Sequence, residues 1–347
     1  MGDPPASTID DRRAPCARGH GTPAVCRTQR IRLPIQGRPQ KVKTYILYRL
    51  FQAIIVIWGI SLITFSLLHM FRDPVLILLP PEATKQDVET LRKEMGLDRP
   101  LAVQYVRFLS GMARGDFGKS FVTQRPALGL VLERMPMTLW LAASGLLLAI
   151  IISVPLGVMA AVRRNRLSDH SVSVFAVVGQ AMPLFWLDIM LIIIFAVKLR
   201  LLPASGAGSY KHIILPAAGI AVSLLPILMR LTRSRMIEIL SQDYIRTARA
   251  KGLRESLVLF RHALRNALIP VVTILGFQFG LLLGGAVITE TIFAWPGVAS
   301  LVVDSIFNSD FPVVQAAVAV FALLIVLANL ITDITVAWLD PKTRFGS

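Results

Sequence analysis

The sequence predicts an all-α integral membrane protein, and three observations carry that expectation. The chain of 347 residues is 54% hydrophobic and only 17% charged, and its mean hydropathy of +0.62 lies outside the range of soluble domains. Apolar stretches long enough to cross a hydrocarbon layer roughly 30 Å thick as helix recur along it. Between them, Lys and Arg fall on alternate loops, the pattern that orients a multi-pass chain.

Six spans are expected, over residues 50–70, 138–162, 171–197, 213–231, 268–289 and 314–338. The fourth is the weakest by pattern, because Pro216 and Pro226 interrupt it and it runs into charged residues. Pro155, Pro183 and Pro226 are expected to bend their helices. Residues 1–49 carry ten Lys/Arg, the short second loop carries Arg163, Arg164 and Arg166, and the fourth loop carries nine between Arg230 and Arg265. The fifth loop, residues 290–312, has none. This bias places both termini and loops two and four in the cytoplasm, and loops one, three and five outside. The net charge of +16 is accounted for by orientation and contact with anionic lipid; no aromatic or basic groove pattern points to nucleic acid.

Residues 1–43 are rich in Gly, Pro and Arg and lack periodicity, so they read as a disordered basic tail. Cys16, His20 and Cys26 lie there without the paired spacing of a structural zinc site, and no metal is expected. Loop one, residues 71–137, is too long for a plain connection and reads as a small extracytoplasmic cap. One helix is expected over 83–95, ending at Gly96, and a second from Leu101 through Leu109. Its "GDFGKS", Gly115 to Ser120, ends like a phosphate-binding loop, but Ala113 stands where that motif needs glycine. The five histidines are scattered, and no HExxH, GxSxG or CxxC occurs, so no catalytic residue and no bound cofactor is expected.

Loop four, residues 232–267, breaks the apolar pattern with "DYIRTARAKGL", Asp243 to Leu253. A helix is expected here, with Ser241 as N-cap and Asp243 in its first turn. It should stop at Gly252, the residue type that enters the left-handed region without steric cost. A second helix through Leu257, Leu259, Phe260 and Leu264 would lead into the fifth span. Ala248 and Ala250 are small enough to let another surface approach closely.

With "RHALRNALIPVVT" after it, this stretch resembles the EAA loop of binding-protein-dependent ABC importer permeases, in the form of the dipeptide/oligopeptide/nickel branch. "RSRMIEIL" (233–240), "TETIFAWPGVASLVVDSIFNSDFPVVQ" (289–315), "ANLITDITVAWLDPKTRF" (328–345), "GLDRPLAVQYVRFL" (96–109), "GDFGKS" and "LLPASG" (201–206) are similar to that branch's B-type permease, covering about residues 44–345. Arg246, Thr247 and Ala248 replace the EAA triplet, and Arg265 stands where the general form has proline, with Pro270 following later.

The resemblance implies one half of a translocation channel for di- or oligopeptides or related small solutes, in the inner membrane. It implies a coupling helix formed by Asp243, Tyr244, Arg246, Thr247, Ala248, Arg249, Ala250, Lys251, Gly252 and Leu253. It further implies a second homologous permease, two ATPase subunits using ATP and Mg, and an extracytoplasmic solute-binding protein. That receptor is expected to meet the fifth loop at Glu290, Trp295 and Pro296. The chain itself is then not an enzyme. An ion-coupled secondary transporter is the alternative, which usually shows internal repeats and several midplane carboxylates.

Ionisable residues inside spans are costly and functional by default. Asp188 and Asp333 are the clearest; Asp333 reads as a packing or anchoring residue, while Asp188 either lines the passage, meeting a cationic ligand group, or finds an interhelical donor. Gln180 and Gln278 are further candidates for the passage, with interhelical hydrogen bonding as their plainer role.

Overall fold

The computed structural model describes residues 98–339 without a break and, before them, 84–94, most of 51–66 and Val75. The expected tail at 1–43, residues 50, 53, 64 and 67–70 of the expected first span, Met95, Gly96 and the end of the chain lie outside the described residues. Among the described residues the chain is helical, with only an isolated bridge between Lys119 and Pro126.

Among the described residues, four helices are long and apolar enough to cross a membrane: Ala127–Val162, Tyr210–Leu240, Glu255–Ile292 and Phe311–Val336. A fifth candidate is the pair Asp169–Ala181 and Leu184–Lys198, bent by 102°. Of the expected first span, the apolar helix Ile54–Ile63 is described. In chain order we label the elements α1 (Ile54–Ile63), α2 (Lys85–Glu94), α3 (Leu101–Ala113), α4 (Ala127–Val162), α5 (Leu167–Ala181), α6 (Leu184–Lys198), α7 (Ile214–Leu240), α8 (Asp243–Ala250), α9 (Glu255–Ile292), α10 (Val298–Phe307) and α11 (Phe311–Leu339).

The third span is where sequence and structure part. It was expected as one helix over 171–197, and it is broken at Met182–Pro183. A proline forces the residue before it out of the helical region. Met182 is accordingly extended (φ −81°, ψ 126°), and so is Pro183 (φ −62°, ψ 138°), so two successive extended residues turn the axis. Pro155 and Pro226 do not end their helices; both sit inside unbroken ones.

The fourth span, weakest by sequence, is the most enclosed of the four, 61% buried over its apolar window. Pro216 lies in its first turn, where a missing N–H removes no helical bond. Its main partner is α4, which carries small or apolar residues every four positions at Leu141, Gly145, Ala149, Ser153, Gly157 and Ala161, all buried. In lipid, helices associate through close packing, and such a stripe lets two backbones approach. A Cβ on Gly145 would sit 2.6 Å from Ile220, and one on Gly157 would sit 2.7 Å from Thr232 and 2.8 Å from the Met229 carbonyl oxygen. The matching steps, 145 with 220 and 157 with 232, show that α4 and α7 run parallel, with the broken span returning the chain between them. Leu141, Ile220, Leu224, Leu228, Val271 and Trp295 form the core where α4, α7 and α9 meet. α11 packs antiparallel on α9, where a Cβ on Gly276 would collide with Thr332.

Thr84 and Asp87 cap α2 reciprocally: the Thr84 amide donates to Asp87 Oδ2 at 2.9 Å and the Asp87 amide to Thr84 Oγ1 at 3.3 Å. The Thr84 donors hold the Asp87 carboxyl below its usual range. α3 rests on the first span through Phe65, Tyr105 and Phe108, and Tyr105 Oη lies 2.9 Å from Ser61 Oγ.

Filling the α4–α7 contact should cost about 1–3 kcal/mol, as overpacking generally does. Gly157→Val is expected to lower the unfolding midpoint of the chain in detergent by several degrees. Gly284→Ala, where a Cβ meets nothing within 4 Å, should leave it unchanged. Differential scanning fluorimetry compares the two.

Candidate functional site

The basic stretch of loop four forms α8, an eight-residue helix. Its N-cap is Gln242, in extended conformation (φ −78°, ψ 151°), and not Ser241. Ser241 instead closes α7, where its hydroxyl donates to the Glu238 carbonyl at 2.7 Å. Asp243 opens the first turn as expected. Ile245 and Ala248, three residues apart, share one face and are 0% and 9% exposed. They pack with Val158 and Ala161 of α4, Met236 and Ile239 of α7, and Val258, Ala263 and Ala267 of α9. Ala248 therefore meets its own chain and does not offer a small contact to another surface; Ala250 remains exposed.

Gly252 ends the helix in the left-handed region (φ +74°), donating from its amide to the Arg249 carbonyl at 2.9 Å. Three residues on, Glu255 opens α9, and Arg249 reaches it with Nη2 at 2.7 Å and Nε at 3.1 Å. Both side chains are about half exposed, so the pair orients the elbow more than it stabilises it. Asn266 donates to Tyr244 Oη at 3.0 Å and to the His262 carbonyl at 3.2 Å, tying α8 to the next turns of α9. The Asp243–Arg246 pair, at 3.5 Å and largely exposed, adds little.

The second helix expected after Gly252 is continuous with the fifth span: α9 runs unbroken for 38 residues. Its segment Val258–Leu264 has π geometry. The wider turn puts Val258 and Ala263, five residues apart, both at 0% exposure, on the buried side. Leu253 and Leu257, each 37% exposed, and Phe260, 63% exposed, stay open. With Gly252, Arg254 and Arg261 they line a shallow groove beside the elbow. Arg246, Thr247, Arg249, Lys251 and Leu253 are exposed, as is Tyr244.

At the other end of α9, Glu290 and Trp295 were expected to face a receptor, yet they are 0% and 3% exposed. Glu290 Oε1 accepts from Thr138 Oγ1 at 2.7 Å, and Oε2 from the Ser300 amide at 2.9 Å. Thr138 Oγ1 in turn accepts from the Val298 amide at 2.8 Å. The carboxylate thus satisfies the open amides at the start of α10, a position that also suits its charge. Gly297 leaves the space, since a Cβ there would lie 2.2 Å from the carboxylate. Trp295 Nε1 donates to the Met137 carbonyl at 3.0 Å. Direct contact with another protein needs accessible atoms, and of the three only Pro296 keeps partial exposure.

Asp188 is also enclosed, at 0% exposure. Thr289 Oγ1 donates to its Oδ2 at 2.8 Å, and Oδ1 abuts Gly219, where a Cβ would fall 1.9 Å away. It is therefore a junction residue of α6, α7 and α9, not part of an open lining here; the interhelical donor is the reading the geometry favours. Gln180 accepts a hydrogen bond from Arg230 Nη2, and Gln278 is partly exposed on α9.

"GDFGKS" is a turn that docks the cap. Asp116 Oδ1 accepts from the Gly118 amide at 2.9 Å, Ser120 Oγ donates to Asp310 Oδ2, and the Phe121 amide donates to Asp310 Oδ1 at 2.9 Å. Among the described residues no cluster of His, Cys, Asp and Glu is arranged to hold a metal ion.

A bundle of apolar helices, one of them broken, with an elbow fused to a span and exposed beyond it, defines a multi-pass membrane protein. The chain belongs to the family of binding-protein-dependent transport system inner membrane components, which it matches over residues 153–345, with that family's N-terminal region over 42–142. It is 41% identical over 302 residues to the glutathione transport system permease protein GsiC of Escherichia coli K12, covering 87% of this chain and 99% of that protein. The GsiC of Salmonella paratyphi A is equally similar, with the same coverage. Among solved structures, inward-facing forms of the MetNI methionine ABC transporter share the fold, with TM-scores of 0.53 and 0.50, 17% identity, and 61% of this chain aligned to 96% of theirs.

Sequence reading missed the internal role of Glu290 and the stripe on α4. The stripe had a signal, small residues recurring every four positions; Glu290 had none, because its partners lie up to 152 residues away in sequence. Thr138→Val removes a donor to Glu290 and an acceptor of the Val298 amide together, which should destabilise the chain by about 1–3 kcal/mol. Thr138→Ser should keep most of that. Denaturation in detergent distinguishes them.

Proposed function

We infer that, as a member of this family, the chain is the permease subunit of an ATP-driven importer of peptide-like solutes. We propose that it forms half of the translocation pathway, beside a second homologous permease, with two ATPase subunits docked on the α8–α9 elbow and an extracytoplasmic receptor at the opposite face. In this reading the elbow and both termini lie in the cytoplasm, in keeping with the basic residues of loop four. ATP and Mg are used by the ATPases. Glutathione is the first solute to test, given the relatives' substrate.

The observation that carries the coupling role is continuity. α8 is clamped to α9 by a buried cluster and two polar ties, and α9 is itself a span. Work delivered to α8 by closing ATPases therefore reaches the membrane without crossing a flexible joint. Asp243, Tyr244, Arg246, Thr247, Arg249, Ala250, Lys251 and Leu253 present the exposed surface, and the apolar Leu257 and Phe260 beside basic Arg254 and Arg261 suit a partner groove with apolar floor and acidic rim. Family membership leaves the ion-coupled alternative without support.

In proteoliposomes holding the whole importer, glutathione uptake should need ATP on the ATPase side and persist when ion gradients are collapsed. Uptake that follows a proton or sodium gradient without ATP contradicts the proposal. Gly252→Val, forced into the left-handed region at a cost of about 1–2 kcal/mol per residue, should sharply reduce uptake. Gly252→Asn, which tolerates that conformation, should retain it.

A further inference from the structure

Two arginines on successive turns of α7 are treated differently by the fold. Arg233 donates from Nε and Nη2 to both oxygens of Asp169, at 2.6 and 2.7 Å, and Asp169 is 2% exposed. Its charge is fully answered within the chain. Arg230, three residues earlier, is exposed, forms no ion pair among the described residues, and donates only to the neutral amide oxygen of Gln180. An amide oxygen fixes the direction of a guanidinium without neutralising it.

The depth of that charge matters. At 1.5 Å per residue, Arg230 lies about 24 Å along α7 from Ile214. Its side chain leans back toward the helix N-terminus, as helical side chains do. It reaches Gln180, the neighbour of Gly179, whose face meets Pro226. Pro226 is about 18 Å from Ile214, and the apolar span 213–231 is about 28 Å long, so the guanidinium, drawn back from the span's basic end, sits inside the span beside the break at Met182–Pro183. An arginine bound for a lipid headgroup snorkels outward; this one points inward. A charge so placed in hydrocarbon is expensive, and such residues face a bundle interior or a water-filled cavity. The exposed surface around Arg230, with Ile227, Ala181 and Pro183, is therefore not lipid-facing.

We propose that Arg230, oriented by Gln180 at the helix break, is the carboxylate-recognising residue of the solute passage. This rests on the permease reading above and adds to it a specificity element. Peptidic solutes carry at least one carboxylate, and a guanidinium offers paired donors in the geometry a carboxylate accepts. Gln180 thereby positions a binding residue, and α5 and α6 meet at the point where the ligand's charge is read.

The test uses the complete importer in proteoliposomes, with Cys16 and Cys26, the chain's two cysteines, replaced by serine. Arg230→Cys should lower glutathione uptake by about tenfold or more, the scale of one lost charged hydrogen bond, with solute-free ATP hydrolysis little changed. Its thiol should react with a cationic aminoethyl thiosulfonate from water, saturating glutathione should slow that reaction, and the modification should restore uptake. The anionic sulfonatoethyl analogue should not restore it. A thiol unreactive in both nucleotide-free and ATP-bound states, as burial against the second permease or in lipid would leave it, overturns the proposal, as does labelling indifferent to glutathione or uptake indifferent to Arg230→Cys. If the unsubstituted importer takes up no glutathione with ATP, the underlying assignment of solute fails instead.

Discussion

The burial of Ile245 and Ala248 is the contact on which the functional geometry depends. α8 has only eight residues, far below the length at which a helix holds itself in water. It is kept by the cluster that its two inward residues share with the ends of α4, α7 and α9. Burying an isoleucine of this kind is worth about 1.5–3 kcal/mol, more than the half-exposed Arg249–Glu255 pair offers. The apolar contact thus fixes the elbow, and the polar ties set its angle.

That elbow is useful only if what lies behind it is stiff. α4 and α7 supply the stiffness through backbone proximity, since α4 presents glycine or other small residues wherever α7 comes closest. The opposite end of the bundle is closed by Glu290, whose carboxylate joins α4 through Thr138 and α10 through its first amides. Asp310 joins the cap to the start of α11. Both are acidic residues from the loop that lacks basic ones, and both act internally. The broken span is the exception to this rigidity, and Asp188 and the Arg230–Gln180 contact lie on either side of its break.

Much of this was legible because membrane burial writes long apolar runs into the sequence. The spans of α4, α7, α9 and α11, the helix ended by Gly252 and the continuation toward the fifth span were all read from local pattern. What local pattern could not supply was partnership. Ser241 has the chemistry of an N-cap, but the preceding helix takes its hydroxyl. Ala248 is small, yet the spacing with Ile245 turns it inward. Glu290 and Trp295 sit in a loop that should face outward, and only the distant Thr138 and Met137 reveal that they point in. Pro183 carried its signal openly; that Pro155 and Pro226 leave their helices unbroken depends on the packing around them.

The central claim is that α8 and α9 move as one body. Nitroxide labels at Lys251, just before the elbow, and at Thr291, one residue short of the end of α9, both exposed, report on the two ends of a helix about 57 Å long. Pulsed electron paramagnetic resonance on the assembled importer should give one distance, constant to about 2 Å between nucleotide-free and ATP-trapped states, while the distance from Lys251 to the second permease changes. A shift of a helical turn, about 5 Å, within the Lys251–Thr291 pair would mean that the elbow flexes against its span and does not transmit work to it.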